Sequence, residues 1–233
     1  SMPVLAHVDG TMAAMLAAIR SAAVLGIDAY DVTVEVDVAL GLPQWVIVGL
    51  PANAVKESRE RVGAALVNAG FTVPHRRVTV NLAPADVPKG GTAFDLPVAL
   101  GLLVATGVID AAVADRYVVI GELGLDGSIR PVRGALSIAR RIVARSDSTD
   151  VTLVLPPANV AEAALVSGLR LAAPATLAVL VSELRGGALP SARVVARGVA
   201  TPDDLDIADV AGQAAAKRAL TIAAAGSHGI LLV

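Results

Sequence analysis

The nineteen residues Leu96–Ala114, LPVALGLLVATGVIDAAVA, carry one charged side chain, Asp110. A helix built from this run has no polar face, so it must be covered on every side. It follows a strand-like run, RRVTVNLAPAD, through the glycine-rich turn PKGGTAFD. A membrane span competes at this length. Pro97, two glycines and Asp110 inside the run, with Asp95 and Asp115 closing it, favour a buried helix followed by a turn. The opening SMPVLAHVDGT has no basic n-region and no clean apolar core, so it does not read as a signal peptide. Residues 1–11 are set aside as tag-like or disordered.

The remainder supplies the covering layers. Val32–Val38 alternates apolar and polar residues, the pattern of a half-buried strand. Gly41-Leu-Pro43 turns the chain and Trp45–Val48 reads as a second strand, giving a hairpin-like unit. Asn53 is placed to cap a helix that Gly70 ends, with Val55, Val62, Ala65, Leu66 and Ala69 on its apolar face and Arg61 turned elsewhere. Strands are expected over Arg76–Leu82, Tyr117–Ile120 and Val151–Leu155, with a tight hairpin turn at Asp126-Gly127. ALSIARRIVAR and two segments near 158–166 and 176–185 read as helices. This alternation predicts an α/β class, α+β with a mixed sheet. With 55% hydrophobic but only 2% aromatic residues, the core has to be Val, Leu, Ile and Ala.

Composition changes at Gly186. GGALPSARVVARGVATPDD lacks a sustained period and predicts a linker over 186–205, after a domain spanning 12–185. A fresh helix is expected from Leu205 through Leu220, then a strand over Gly229–Val233. Residues 206–233 thus read as the start of a second domain, cut short.

The turn PKGGTAFD invites two chemical readings. It is not a P-loop, because Lys89 precedes the glycines. Thr92 and Asp95 have the spacing of a capping box, and Asp95 would also face the positive end of the helix dipole. A nucleophile reading needs a hydroxyl with a base in reach. Thr92 is the only hydroxyl of the turn, the three histidines are scattered, and Lys89 is expected to be solvated, so catalysis is disfavoured. With no Cys, isolated His and no carboxylate loop, no metal site is expected. The absence of Cys also excludes disulfides and fits a reducing compartment. Only three of the 19 basic residues are Lys, and the net charge of -2 gives no global nucleic-acid signature. Arg76, Arg77, Arg130, Arg133, Arg140 and Arg141 form the densest basic set, either a solvated face or a phosphate-contacting patch.

GLPQWVIVGLP, VKESRERVGAAL, RRVTVNLAPADVPKGGTAFDLPVAL and GELGLDGSIRPVRG, all between Asp37 and Gly134, closely resemble the N-terminal domain of the Mg-chelatase-like AAA+ ATPases of the YifB/ComM kind. The resemblance covers residues 16–185 and resumes over Asp206–Val233. It implies a fold like the proteolytic domain of Lon, a ribosomal-protein domain-2-like arrangement. Lon's loop P-K-D-G-P-S-A-G carries its serine where this chain has Ala93, and its catalytic lysine falls on Leu136. By the resemblance both members of the dyad are gone. DVAGQ followed by AKRAL resembles the start of the ATPase module, which would place Val210, Gly212 and Gln213 beside the nucleotide base, with the P-loop expected after Val233. ATP and Mg²⁺ are implied for full-length relatives, with none expected on this chain alone. Full-length relatives are further implied to be cytoplasmic homo-oligomers, hexamers acting in DNA branch migration, with no membrane partner. A metal-insertion subunit, an oligomerisation scaffold and a residual peptidase using Thr92 with Lys89 remain as alternatives.

Overall fold

The computed structural model describes residues 15–145, 151–193 and 206–231. The chain divides into two units, 1–195 and 196–233.

In the first unit, β1 (Met15–Leu25) and β2 (Asp28–Ala39) form a long antiparallel hairpin, in register from Met15 with Val38 to Leu25 with Asp28. β1 is alanine-rich and has weak intrinsic strand preference. The alternating, strongly β-prone β2 provides its ladder. β3 (Gln44–Val48) does not complete the expected hairpin with β2. It lies parallel to β4 (Arg77–Ala83), which occupies the slot beside β2 and runs antiparallel to it. The reason is the intervening segment: α1 (Asn53–Lys56) and α2 (Ser58–Asn68) form a crossover, and a crossover of that length returns the chain parallel. The expected single helix is broken at Glu57. Asn53 is its first residue, not its cap, which is Ala52 with no side-chain bond.

α3 (Asp95–Ala105) has every residue but Val104 buried, the outcome its sequence demands. It packs across β1 and β2, and a Cβ added at Gly101 would lie 2.5 Å from Val36 Cγ2, so this helix approaches the sheet more closely than any side chain allows. α4 (Ala111–Ala114) is capped by the Asp110 carboxylate. Then come β5 (Tyr117–Val119) and the small hairpin of β6 (Glu122–Leu123) and β7 (Ile129–Arg130), turned at Asp126-Gly127 as expected. α5 (Ala135–Val143), β8 (Thr152–Val154), α6 (Val160–Ala163), β9 (Arg170–Ala172) and α7 (Leu177–Arg185) complete the unit. The helix expected near 158–166 is a 3-10 turn leading into the four-residue α6, and β9, three residues long, had no pattern to announce it.

The seven-stranded mixed sheet has the order β3-β4-β2-β1-β5-β8-β9, which confirms the α/β class. One core lies between α2, α3, α7 and one face of the sheet; a second lies between α5, α6 and the other face. β1 meets β5 at a single register position, Arg20 with Val118, reinforced by Ser21 Oγ donating to the Val119 carbonyl at 2.8 Å. After α7 the chain returns to the sheet: Leu189 N donates to Tyr117 Oη and Ala192 N to the Leu171 carbonyl. The first residues of the expected linker are therefore packed on the domain; 194–205 lie outside the described residues.

In the second unit Asp206 and Asp209 cap a 3-10 turn reciprocally, and α8 spans Ala214–Gly226. The helix expected from Leu205 starts later because Gly212 and Gln213 both take left-handed conformations. Gly229–Leu231 is not a strand, since this unit holds no described strand to pair with it; Leu232 and Val233 lie outside the described residues. Among the described residues no helix is long and apolar enough to cross a membrane.

Gly49 leaves β3 at φ +93, and a Cβ there would lie 2.2 Å from the Leu82 carbonyl oxygen. Gly49→Ala is expected to destabilise the domain by about 2 kcal/mol or more, from left-handed strain plus a backbone clash, read as a lowered urea midpoint at unchanged slope.

Candidate functional site

The glycine-rich turn is held by three neighbours. Lys89 N donates to the Leu50 carbonyl and Ala52 N to the Lys89 carbonyl, at 3.1 and 2.9 Å, clasping the turn to the loop after β3. Tyr30 Oη donates to the Pro88 carbonyl at 3.0 Å. This clasp draws Lys89 inward. Its side chain, expected in solvent, is 0% exposed, and its Nζ has no hydrogen-bond partner among the described residues. Burial pushes the Lys89 pKa down, and the charge of Asp86 acts in the opposite direction.

The capping box does not form. α3 begins after Phe94, without a side-chain cap. Thr92 Oγ1 donates instead to the Glu122 carboxylate, reaching across to β6. Asp95 turns to Arg61 on α2, which meets it with both arms: Nε to Oδ2 at 2.6 Å and Nη2 to Oδ1 at 2.9 Å. The same Nη2 donates to the Ala54 carbonyl, and Leu123 N donates to Asp95 at 3.3 Å. For a buried carboxylate a two-armed guanidinium outcompetes a backbone amide, because charge-assisted pairs are the stronger bonds. Burial pushes the Asp95 carboxyl above its usual range while Arg61 pulls it back; the same hydrogen bond raises Arg61.

Beside the turn lies a cleft of about 380 Å³, walled by Ala22–Val24 of β1, by Gly90–Phe94, and by Val132 and Arg133, with Glu122 in its lining. Ala93 lines it. Leu136 does not: it faces a separate depression with Asp28, Arg140 and Arg141, and its amide donates to Glu162. The two positions that the Lon resemblance pairs therefore line different hollows. Among the described residues no hydroxyl of the cleft is hydrogen-bonded to a lysine or histidine, and no group of three His, Asp or Glu could hold a metal ion.

The six arginines do not form one patch. Arg77 lies opposite Ala39 at one end of β2, with Arg76 beside it. Arg141 pairs with Asp31 near the other end at 2.8 Å, joined there by Arg145 at 3.0 Å. Eight residues of strand, about 26 Å, separate the two groups. Arg130 lies opposite Glu122 on the small hairpin, Arg133 stands at the cleft's lip, and Arg140 is exposed on α5. Val210, Gly212 and Gln213 share the exposed turn ahead of α8. Sequence reading missed Arg61, Glu122 and Tyr30 as parts of the site. Arg61 and Asp95 are 34 residues apart, beyond any local spacing rule.

The fold and site define an α/β domain with a cleft at the mouth of a buried helix, in which, among the described residues, the Thr92 hydroxyl is bonded to the Glu122 carboxylate and to no lysine or histidine. Residues 34–159 match the family model for subunit ChlI of Mg-chelatase, and residues 206–233 match a second, for magnesium chelatase, subunit ChlI. The chain is 40% identical over 223 residues to competence protein ComM of Haemophilus influenzae, covering 94% of this chain and 43% of the relative. It is 38% identical to the uncharacterized protein YifB of Salmonella typhimurium and 37% identical to YifB of Escherichia coli, covering 94% of this chain and 42% of the relative in both cases. The chain belongs to the Mg-chelatase ChlI family, in the group that includes ComM and YifB. It spans about two fifths of the length of these curated relatives.

Arg61→Met leaves the Asp95 charge buried and unpaired, so a loss of about 3 kcal/mol is expected in urea unfolding. Lys89→Met tests the buried amine. With its folded pKa lowered, Lys89 binds a proton more weakly in the native state than in the unfolded chain. Its penalty is thus present near neutral pH and relieved as pH approaches the unfolded value of about 10.4. The unmodified protein should gain stability relative to Lys89→Met between pH 7 and about pH 10, measured as the difference in urea midpoints.

Proposed function

We propose that the first unit is a Lon-protease-like domain without proteolytic chemistry, serving a longer ATP-driven motor that acts on DNA. The observation that carries this reading is Ala93. It lines the cleft at the mouth of α3, where the resemblance requires the serine, and it has no hydroxyl to offer. Thr92, the neighbouring hydroxyl, is tied to Glu122, and Lys89 is packed away from solvent, which argues against a peptidase built from those two. A Ser–Lys type mechanism needs a hydroxyl with an amine base in reach, and neither Ala93 nor the buried Lys89 supplies its part.

The role left to such a domain is assembly of a homo-oligomer, a hexamer by the resemblance, or contact with DNA. The competence name of the Haemophilus relative is in line with DNA as the substrate. Arg76 with Arg77, Arg130, Arg133 at the cleft, and Arg140 with Arg141 on α5 are the contact residues of this reading, Arg141 also pairing with Asp31. ATP and Mg²⁺ would be held chiefly by residues beyond this sequence, because it contains no G-x-x-x-x-G-K-[ST] loop. Val210, Gly212 and Gln213 would flank the adenine from their exposed turn, and a cytoplasmic location follows from work on intracellular DNA. The matching family's description, subunit ChlI of Mg-chelatase, favours a second reading, a subunit that drives metal insertion into a porphyrin.

The deciding assay uses a longer form of the protein continuing past Val233 through the ATPase motifs, with ATP hydrolysis measured alone, with branched DNA and with a porphyrin. Stimulation by branched DNA is the expected result, with Arg76→Ala/Arg77→Ala weakening binding for all sequences alike and flattening its salt dependence. Stimulation by the porphyrin alone would overturn the DNA reading in favour of metal insertion.

A further inference from the structure

The sheet has two edges, and the chain treats them differently. At β9 the segment after α7 folds back and Ala192 N donates to the Leu171 carbonyl at 2.7 Å. At the opposite edge β3 pairs with β4 on one side, and its other side has no strand partner among the described residues. Proteins usually blunt a free edge with charge, proline or a bulge. The strand QWVIV has none of these. Around it the loops expose Leu40 and Leu42, 75% and 88% accessible, and Leu50 at 54%. Against the strand lies a groove of about 280 Å³ lined by Trp45, Val46 and Ile47 and by two cations, Lys56 and Arg59. Among the described residues no acidic side chain lines it; Glu60, 3.6 Å from Arg59 Nε, is outside the lining.

We propose that the β3 edge is a docking site for an extended, acidic polypeptide segment, which adds to the sheet as a further strand and sets its carboxylates against Lys56 and Arg59. An open ladder presents amides and carbonyls at the repeat of an extended chain, and side-chain hollows beside it give such a chain its specificity. Apolar side chains of the incoming strand cover the exposed leucines. A second copy of the same edge is the poorer occupant. In a two-fold β3–β3 pairing one sheet face continues across the joint, so the Lys56/Arg59 pairs of both copies line the same side and repel.

Trp45 is the chain's single tryptophan, so its fluorescence reports on this edge alone. The probe is a synthetic peptide alternating Glu with Val, compared with its Lys/Val counterpart on the unmodified protein. The Glu/Val peptide is expected to shift Trp45 emission saturably and to bind at least about tenfold tighter than the Lys/Val peptide, a difference of about 1.4 kcal/mol. It should also slow amide exchange over residues 44–48. Lys56→Glu/Arg59→Glu, both on the surface of α1 and α2, should keep the melting temperature and reverse the preference. No emission change at millimolar peptide, or equal binding of both peptides, would overturn the proposal. So would self-association that protects the same amides without peptide, which would make a second copy the occupant.

Discussion

The site depends on one buried ion pair. Asp95 opens α3, the helix around which the larger core is built, and its side chain is 1% exposed, against 20% for Arg61. Arg61 reaches it from α2 and spends its remaining reach on the Ala54 carbonyl. Leu123 N closes the group from β6. Three elements far apart in sequence are thereby fixed around the first turn of one helix. The pair has little value as net stabilisation, because two charges give up their water to form it. Its effect is positional. It sets the start of α3 and frees Thr92 to reach Glu122, which in turn defines one wall of the cleft.

Much of the architecture was legible because it rests on periodicity. The alternation over Val32–Val38, the helix of ALSIARRIVAR and the turn at Asp126-Gly127 stand where their patterns put them. The apolar run after PKGGTAFD had to be buried, and it is. What the sequence could not reveal was pairing at a distance. Trp45–Val48 is a strand, but its neighbour is chosen by the crossover through α1 and α2, and no pattern within the strand encodes that choice. β1 was hidden for another reason: an alanine-rich strand borrows its conformation from the partner it lies against.

The site shows the same division more sharply. The turn could be found from its glycines, whereas the roles of its polar residues could not. A Thr and an Asp three apart look like a capping box until Glu122 and Arg61 arrive from elsewhere in the chain with stronger claims on them. Lys89 is the clearest case. A lysine between proline and glycine reads as a solvated turn residue, yet its main chain is clasped to Leu50 and Ala52 and its side chain is buried. Burial here is decided by backbone hydrogen bonds, which carry no residue signature.

The single register position that joins β1 to β5 makes the sheet two half-sheets with a seam between them. On one side stand β3, β4, β2 and β1; on the other, β5, β8 and β9. Main-chain bonding knits each half internally but crosses the seam over scarcely more than one rung, so the halves stay aligned through the helices packed over them. Past Arg20 the ladder to β5 ends, and Ala22–Val24, paired to β2 on their other side, form a wall of the cleft. The hollow is therefore the place where the sheet comes unstitched, and its width is set by side-chain packing on either face instead of by the fixed spacing of a β-ladder.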